Sequence, residues 1–255
     1  MYAEERQQAI ASQVMSTGRA SVAELAQAYA VTTETVRRDL AVLDRAGILR
    51  RVHGGAVPTR ALRVVEPGVM ERESTRADYK DAIARAALEF LPRNGGSLLL
   101  DAGTTTGRLA ALLSTDRDLV IVTNALPIAA RLCPNPSICL QLLGGRVRGL
   151  TQAAVGEPAL RALDALRVDV AFIGTNGISV AHGLSTPDSE EAAIKRAMVR
   201  CAHYVVVLAD SSKFGREDLM SFAPINRVDV LITDPELSPT NRDELTELGI
   251  EVVIA

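Results

Sequence analysis

Cysteine is scarce in this 255-residue chain: Cys133, Cys139 and Cys201 form an odd, scattered set with no two at metal-ligand spacing. That excludes a disulfide framework and reads as reduced thiols in or near the core. His53, His182 and His203 are equally dispersed, so no metal site is expected. No apolar run exceeds strand length, which excludes a membrane-spanning helix. The N-terminus "MYAEERQQ" lacks the regions of a signal peptide, and the expected location is the cytoplasm. Neither Gly-Lys-Ser/Thr nor G-x-G-x-x-G occurs, so ATP and dinucleotide readings fall away and no cofactor is expected. Lysine is rare too: Lys80, Lys195 and Lys213 stand against 25 arginines.

What is present divides the chain. A hydrophobic content of 47% is ample for packed cores. Residues 1–60 carry eight arginines against six acids, net +2, whereas the rest carries 20 basic residues against 25 acids, net −5. Only the N-terminal part suits a polyanion. There, Ala9, Ile10 and Val14, then Val22, Leu25 and Ala26, then Val36, Leu40 and Leu43 repeat at helical spacing. Ser21 with Glu24 forms a capping box; Thr32 is a good N-cap, and Val31 and Val36 are placed as a hydrophobic staple. Only "YAV" separates the second and third helices, which demands a sharp turn and gives a helix-turn-helix. "ILRRVHGGAVP" follows as a hairpin around Gly54-Gly55, so the unit reads as a winged helix. Its third helix leaves Thr33, Glu34, Arg37 and Arg38 outward on its N-terminal half, the half a recognition helix offers to base edges. The candidate contacts to a double-stranded DNA operator are Thr33, Thr35, Arg37 and Arg38 on the helix, with Arg50, Arg51 and His53 on the wing. Asp39 is expected to pair with an arginine or cap a turn.

The expected boundaries are a winged helix over 1–57, a linker over 58–76 that relays movement to the wings, and an α/β domain over 77–255. In the last, "SLLLD", "LVIVTN", "SICLQLLGG", "VDVAFIGTNG", "YVVVLADSS", "VDVLITD" and "VVIA" are short continuous apolar runs with helical stretches between most of them, the pattern of a mostly parallel sheet buried on both faces. "LLLDAGTTTGRLA" runs from a strand through Asp101, Gly103 and three threonines into a helix, where hydroxyls and free backbone N–H groups make an anion site. The plainer reading is a turn and a cap. Other strand ends, "TNA", "LGGR", "GTNG" and "DSSKFG", lie where open α/β sheets bind ligands, so a polar small molecule is implied. Glu191 and Lys195, four apart, read either as an ordinary helix pair or as site residues beside Asp188.

"ELAQAYAVTTETVRRDLAVLDRAGILRRVHGGA" resembles the winged helix-turn-helix of the DeoR family of bacterial transcription regulators. "LDAGTTT", "VTNA", "LGGR", "AFIGTNGIS", "GLSTPD", "EAAIKRAM" and "ADSSKFG" are similar to that family's sensor domain, itself of the sugar-phosphate isomerase and CoA transferase superfamily. The resemblance spans nearly the whole chain. It implies a phosphorylated sugar or polyol as effector, with its phosphate near Gly103, Thr104, Thr105 and Thr106, and it suggests Asp101, Asn124, Gly144, Gly145, Asn176, Asp188, Glu191, Lys195 and Lys213 as lining residues. The expected function is a repressor of a carbohydrate-metabolism operon, acting as a homo-oligomer, dimer or tetramer. The alternative is a sugar-phosphate isomerase or deaminase with an accessory DNA-binding domain, in which Asp188 or Glu191 serves as base and Lys195 or Lys213 stabilises an oxyanion. An empty sensor answering to protein contacts is a third.

Overall fold

The structure, a computed structural model, describes residues 3–17, 20–45, 48–52, 54–58, 68–114 and 116–255. It divides into two compact units, Met1–Glu66 and Pro67–Ala255. In the first, α1 (Ala3–Thr17), β1 (Ala20–Ser21), α2 (Val22–Ala28), α3 (Thr33–Arg45), β2 (Leu49–Val52) and β3 (Gly55–Pro58) follow in order. Ser21 and Glu24 close the expected capping box on α2. Ala30 takes the left-handed conformation in the short turn after it, at φ 51°. Thr32 accepts from the Thr35 amide at 3.2 Å and so caps α3. Ile10, Val14, Leu25, Val36, Leu40, Leu43 and Leu49 bury one shared core. The strands form an antiparallel sheet in the order β1-β3-β2. β1 and β3 touch so closely that a Cβ on Gly55 would stand 2.3 Å from the Ala20 carbonyl oxygen, which requires glycine there.

The second unit begins inside the stretch expected to be linker. Val69–Ser74 is a helix, α4, and Arg108 donates to the Glu73 carbonyl at 2.9 Å to hold its last turn. There follow α5 (Ala77–Ala86), β4 (Ser97–Leu100), α6 (Thr104–Leu112), β5 (Leu119–Thr123), α7 (Leu126–Leu132), β6 (Ile138–Leu142), β7 (Arg146–Arg148), β8 (Ala153–Val155), α8 (Glu157–Asp164), β9 (Val168–Gly174), β10 (Gly177–Ser179), β11 (Gly183–Thr186), α9 (Ser189–Cys201), β12 (Ala202–Leu208), β13 (Met220–Ala223), β14 (Val230–Thr233), α10 (Pro239–Glu247) and β15 (Glu251–Ile254). The seven apolar runs became the seven strands of one parallel sheet, ordered β15-β14-β12-β9-β4-β5-β6. Alternate residues serve opposite faces. Leu98, Leu100, Val170, Phe172 and Val206 pack with Ile83, Leu109 and Ile128 of α5, α6 and α7, whereas Leu99, Ala171, Ile173 and Val205 pack with Leu163, Met198 and Leu245 of α8, α9 and α10. Two small antiparallel additions, β7-β8 and β10-β11-β13, complete the unit. Cys139, expected near the core, is exposed on the edge strand β6, and Cys133 is exposed as well; only Cys201 is buried. Among the described residues no helix is long and apolar enough to cross a membrane.

Candidate functional site

On α3 the buried Val36, Leu40 and Leu43 turn the opposite face outward. Thr33, Glu34, Arg37 and Arg38 are exposed there, with the Arg38 side chain 80% accessible. Glu34 lies 3.9 Å from Arg37 and 3.5 Å from Arg38, exposed pairs that contribute little and yield readily to phosphate. Thr35 is half-buried and its hydroxyl meets that of Thr32 at 2.9 Å, so it serves the cap. Asp39 is buried and accepts from Arg6 at 2.6 Å and Gln7 at 2.9 Å; its role is to fasten α1 to α3, as expected of a paired carboxylate. Arg50 and Arg51 belong to the wing strand β2, while His53 lies outside the described residues.

In the second unit the chain winds from β4 out to β6, then returns to β9 on the other side of β4 and winds away. That reversal opens a crevice at the carboxyl ends of β4 and β9. A cavity of about 300 Å³ occupies it. Gly103 and the three threonines of "TTT" form one wall, and no side chain caps α6, so the first-turn N–H groups have no partner within the helix. Thr106 is fully buried and donates to the Gly103 carbonyl at 3.0 Å, which fixes the loop. Asn176, Glu191, Lys195 and Lys213 line the cavity as well.

Asp101 leaves β4 at the floor of this crevice, 1% exposed, and pairs with the buried Lys195 of α9. Lys195 also donates to the Gly174 carbonyl at 2.9 Å, and the Gly174 amide donates to Asp101 at 3.0 Å, so the pair ties β4, β9 and α9 together. Burial pushes the Asp101 carboxyl up, and the Lys195 ammonium pulls the other way. Of the two readings of Glu191 and Lys195, the helix pair does not form: Glu191 instead takes Arg148 at 3.1 Å and the Thr151 hydroxyl. Asp188 caps α9 through the Glu190 and Glu191 amides, both at 3.0 Å, and pairs with Arg148 at 3.2 Å. Asn124 accepts from the Ala102 amide at 3.1 Å and donates to the Ala154 carbonyl at 3.3 Å, a brace behind the threonine loop. Asp101, Asn124, Asp188, Gly144 and Gly145 therefore lie outside the cavity lining, Asp101 buried beneath it. Gly145 has its own steric reason, since a Cβ on it would stand 2.4 Å from the Val155 carbonyl oxygen.

Sequence reasoning missed part of the ring. Lys80 of α5, Arg72 of α4 and Arg216 also line the cavity, so all three lysines of the chain meet there. Lys80 is buried and donates to the Arg72 carbonyl. Burial lowers its pKa to about 8; Asp210 opposes this, and the nearby charge of Lys213 adds to it. Burial lowers Lys213 too, against Asp210 and with Arg216 and Arg72. Lys213 is positioned by a short turn: Asp210 accepts from the Ser212 amide at 3.1 Å, and the Ser211 amide donates to Asp234 at 2.7 Å. Cations crowded together with depressed pKa values beside uncapped helix N–H groups are an arrangement that can hold an anion.

A winged helix on one unit and a cation-lined cavity at the sheet reversal of the other are the parts of a DNA-binding regulator that carries its own small-molecule sensor. Residues 6–60 match the DeoR-like helix-turn-helix domain, and residues 75–235 match the DeoR C terminal sensor domain. The chain belongs to the DeoR family of transcription regulators. It is 37% identical to the uncharacterized HTH-type transcriptional regulator FruR of Bacillus subtilis, covering 98% of this chain and 99% of that protein. It is 33% identical to the glycerol-3-phosphate regulon repressor of Escherichia coli, covering 97% of each chain. These relatives bear the names of regulators, and the alternative of an isomerase or deaminase falls away. A ribose 5-phosphate isomerase from Methanocaldococcus jannaschii aligns over 55% of each chain at 18% identity, with a TM-score of 0.41, a partial likeness that says nothing of activity.

Proposed function

We propose that the chain is a cytoplasmic transcription repressor of a carbohydrate- or polyol-phosphate operon, and that a phosphorylated sugar or polyol in the cavity at the β4–β9 reversal changes its affinity for the operator. The observation that carries this reading is the convergence of Lys80, Lys195 and Lys213, from distant parts of the chain, on one cavity beside the uncapped first turn of α6. The name of the glycerol-3-phosphate regulon repressor agrees with a phosphorylated polyol as the effector class. Coupling of about 1 to 3 kcal/mol between effector and operator changes affinity about 5- to 150-fold. A dimer is the minimum working unit, because one recognition helix reads too little sequence and paired domains read paired half-sites.

Thermal unfolding of the full chain against a panel of phosphorylated sugars and polyols, with their unphosphorylated parents, tests the sensor. A true effector at 100 times its dissociation constant adds about 2.7 kcal/mol of stability. Because Lys80 titrates near 8, the added stability shrinks as pH rises past that value and the ammonium loses its charge. Indifference to every phosphorylated compound refutes the effector class. On the DNA side, Arg38→Ala is expected to cost about 1 to 3 kcal/mol of operator affinity with the fold unchanged, because its guanidinium is exposed on the outward face of α3. A footprint equal to that of the parent protein removes Arg38 from the interface.

A further inference from the structure

α4 is the first element of the second unit, next in the chain after the boundary at residue 66. Its backbone is well held. Lys80 donates to the Arg72 carbonyl, and Arg108 pairs with the Glu73 side chain at 3.1 Å and donates to its carbonyl. The Arg72 side chain is in the opposite condition. It lines the cavity at the sheet reversal, yet its Nε–H is buried with no hydrogen-bond partner, and among the described residues no carboxylate is within ion-pair distance of its guanidinium. The residue as a whole is half-buried, so the cost falls on this Nε–H. A buried donor without an acceptor is rare in a folded protein and expensive to keep. Arg72 and Lys213 lie near enough for each to sense the other's charge, which adds repulsion to the missing bond.

One occupant removes both deficits. We propose that Arg72 is a ligand for the anionic group of the effector, so that an occupied cavity clamps α4 onto the sensor. This rests on the reading of the cavity as the effector site. Two contacts then act on one residue: Lys80 holds the main chain of Arg72, and the anion holds its side chain. Lys80 has further N–H donors for the same anion. The effector thereby grips the chain at the element that follows the DNA-binding unit, as well as at the threonine loop deep in the sheet.

The test is amide hydrogen exchange of the full chain, without and with inorganic phosphate, for the parent and for Arg72→Gln. In the parent, phosphate is expected to slow exchange both at 103–107 and at 69–75, each by about fivefold or more. In Arg72→Gln, the slowing at 69–75 is lost, the phosphate dissociation constant rises on the order of 10-fold, and the slowing at 103–107 returns at saturation. Slowing at 103–107 alone in the parent overturns the proposal, as does a failure of phosphate to slow either segment, or an Arg72→Gln chain that behaves as the parent does. The parent comparison decides the matter even if the variant folds poorly. Operator binding is measured separately. If phosphate slows exchange at both segments while no phosphorylated sugar moves operator affinity, the clamp stands and the regulatory reading fails.

Discussion

Asp101→Ala is expected to cost about 3 to 5 kcal/mol of folding stability, since it leaves the ammonium of Lys195 buried beside Gly174 without its partner. Urea denaturation followed by circular dichroism measures it. An unchanged midpoint overturns the view that the pair holds the sheet reversal together. The reciprocal change, Lys195→Met, leaves Asp101 buried without its cation, and the carboxyl can take up a proton. Burial already raises its pKa, and without Lys195 only hydrogen bonds such as that from Gly174 oppose the rise. The folded variant then binds a proton that the unfolded chain has released. Its stability is greatest below the ordinary aspartate value of about 3.9 and falls as pH climbs toward the raised folded-state value. A stability profile parallel to that of the parent across this window shows that Asp101 does not titrate with folding.

Lys213→Ala is expected to separate sensing from DNA binding. Operator affinity without effector stays within about twofold of the parent, while the effector concentration needed to shift it rises about 30-fold or more, the loss of one strong charge-assisted contact worth about 2 kcal/mol. The effector-free variant gains slightly in stability, because the alanine no longer places a partly buried cation beside Arg216 and Arg72. Electrophoretic mobility shifts at graded effector concentration decide it. A response at the parental concentration takes Lys213 out of the site.

The strands were readable because each is a continuous apolar run, and β4, β9, β12 and β14 are buried on both faces. The small strands β7, β8, β10, β11 and β13 were missed; with three or four residues each, they carry too little periodicity to stand out. Helix α4 was read as linker because "VMERES" shows no apolar face, and its place is fixed by Arg108, 35 residues away from Glu73. The threonine loop that lines the cavity was visible because its residues adjoin a strand and a helix in one short stretch. Lys80 and Arg72 were not, since the fold brings them to Lys213 from more than 100 residues away. Of the pair Gly144-Gly145, Gly145 has a steric reason of its own, the closeness of β8. A glycine that admits a neighbouring strand looks the same in sequence as one that admits a ligand.

The place of β9 beside β4 also has a bearing on how the protein comes off the ribosome. Leu98 pairs with Val170 and Leu100 with Phe172, so the central seam of the sheet joins segments about 70 residues apart. Parallel pairings over such spans close late, after their loop entropy has been met. Lys213 is further still down the chain, whereas the core of the first unit is complete by Ala56. At a synthesis rate of about 5 to 20 residues per second, the winged helix precedes the finished cavity by on the order of ten seconds. Each nascent copy therefore has its operator-reading half before it has any means of answering to a metabolite.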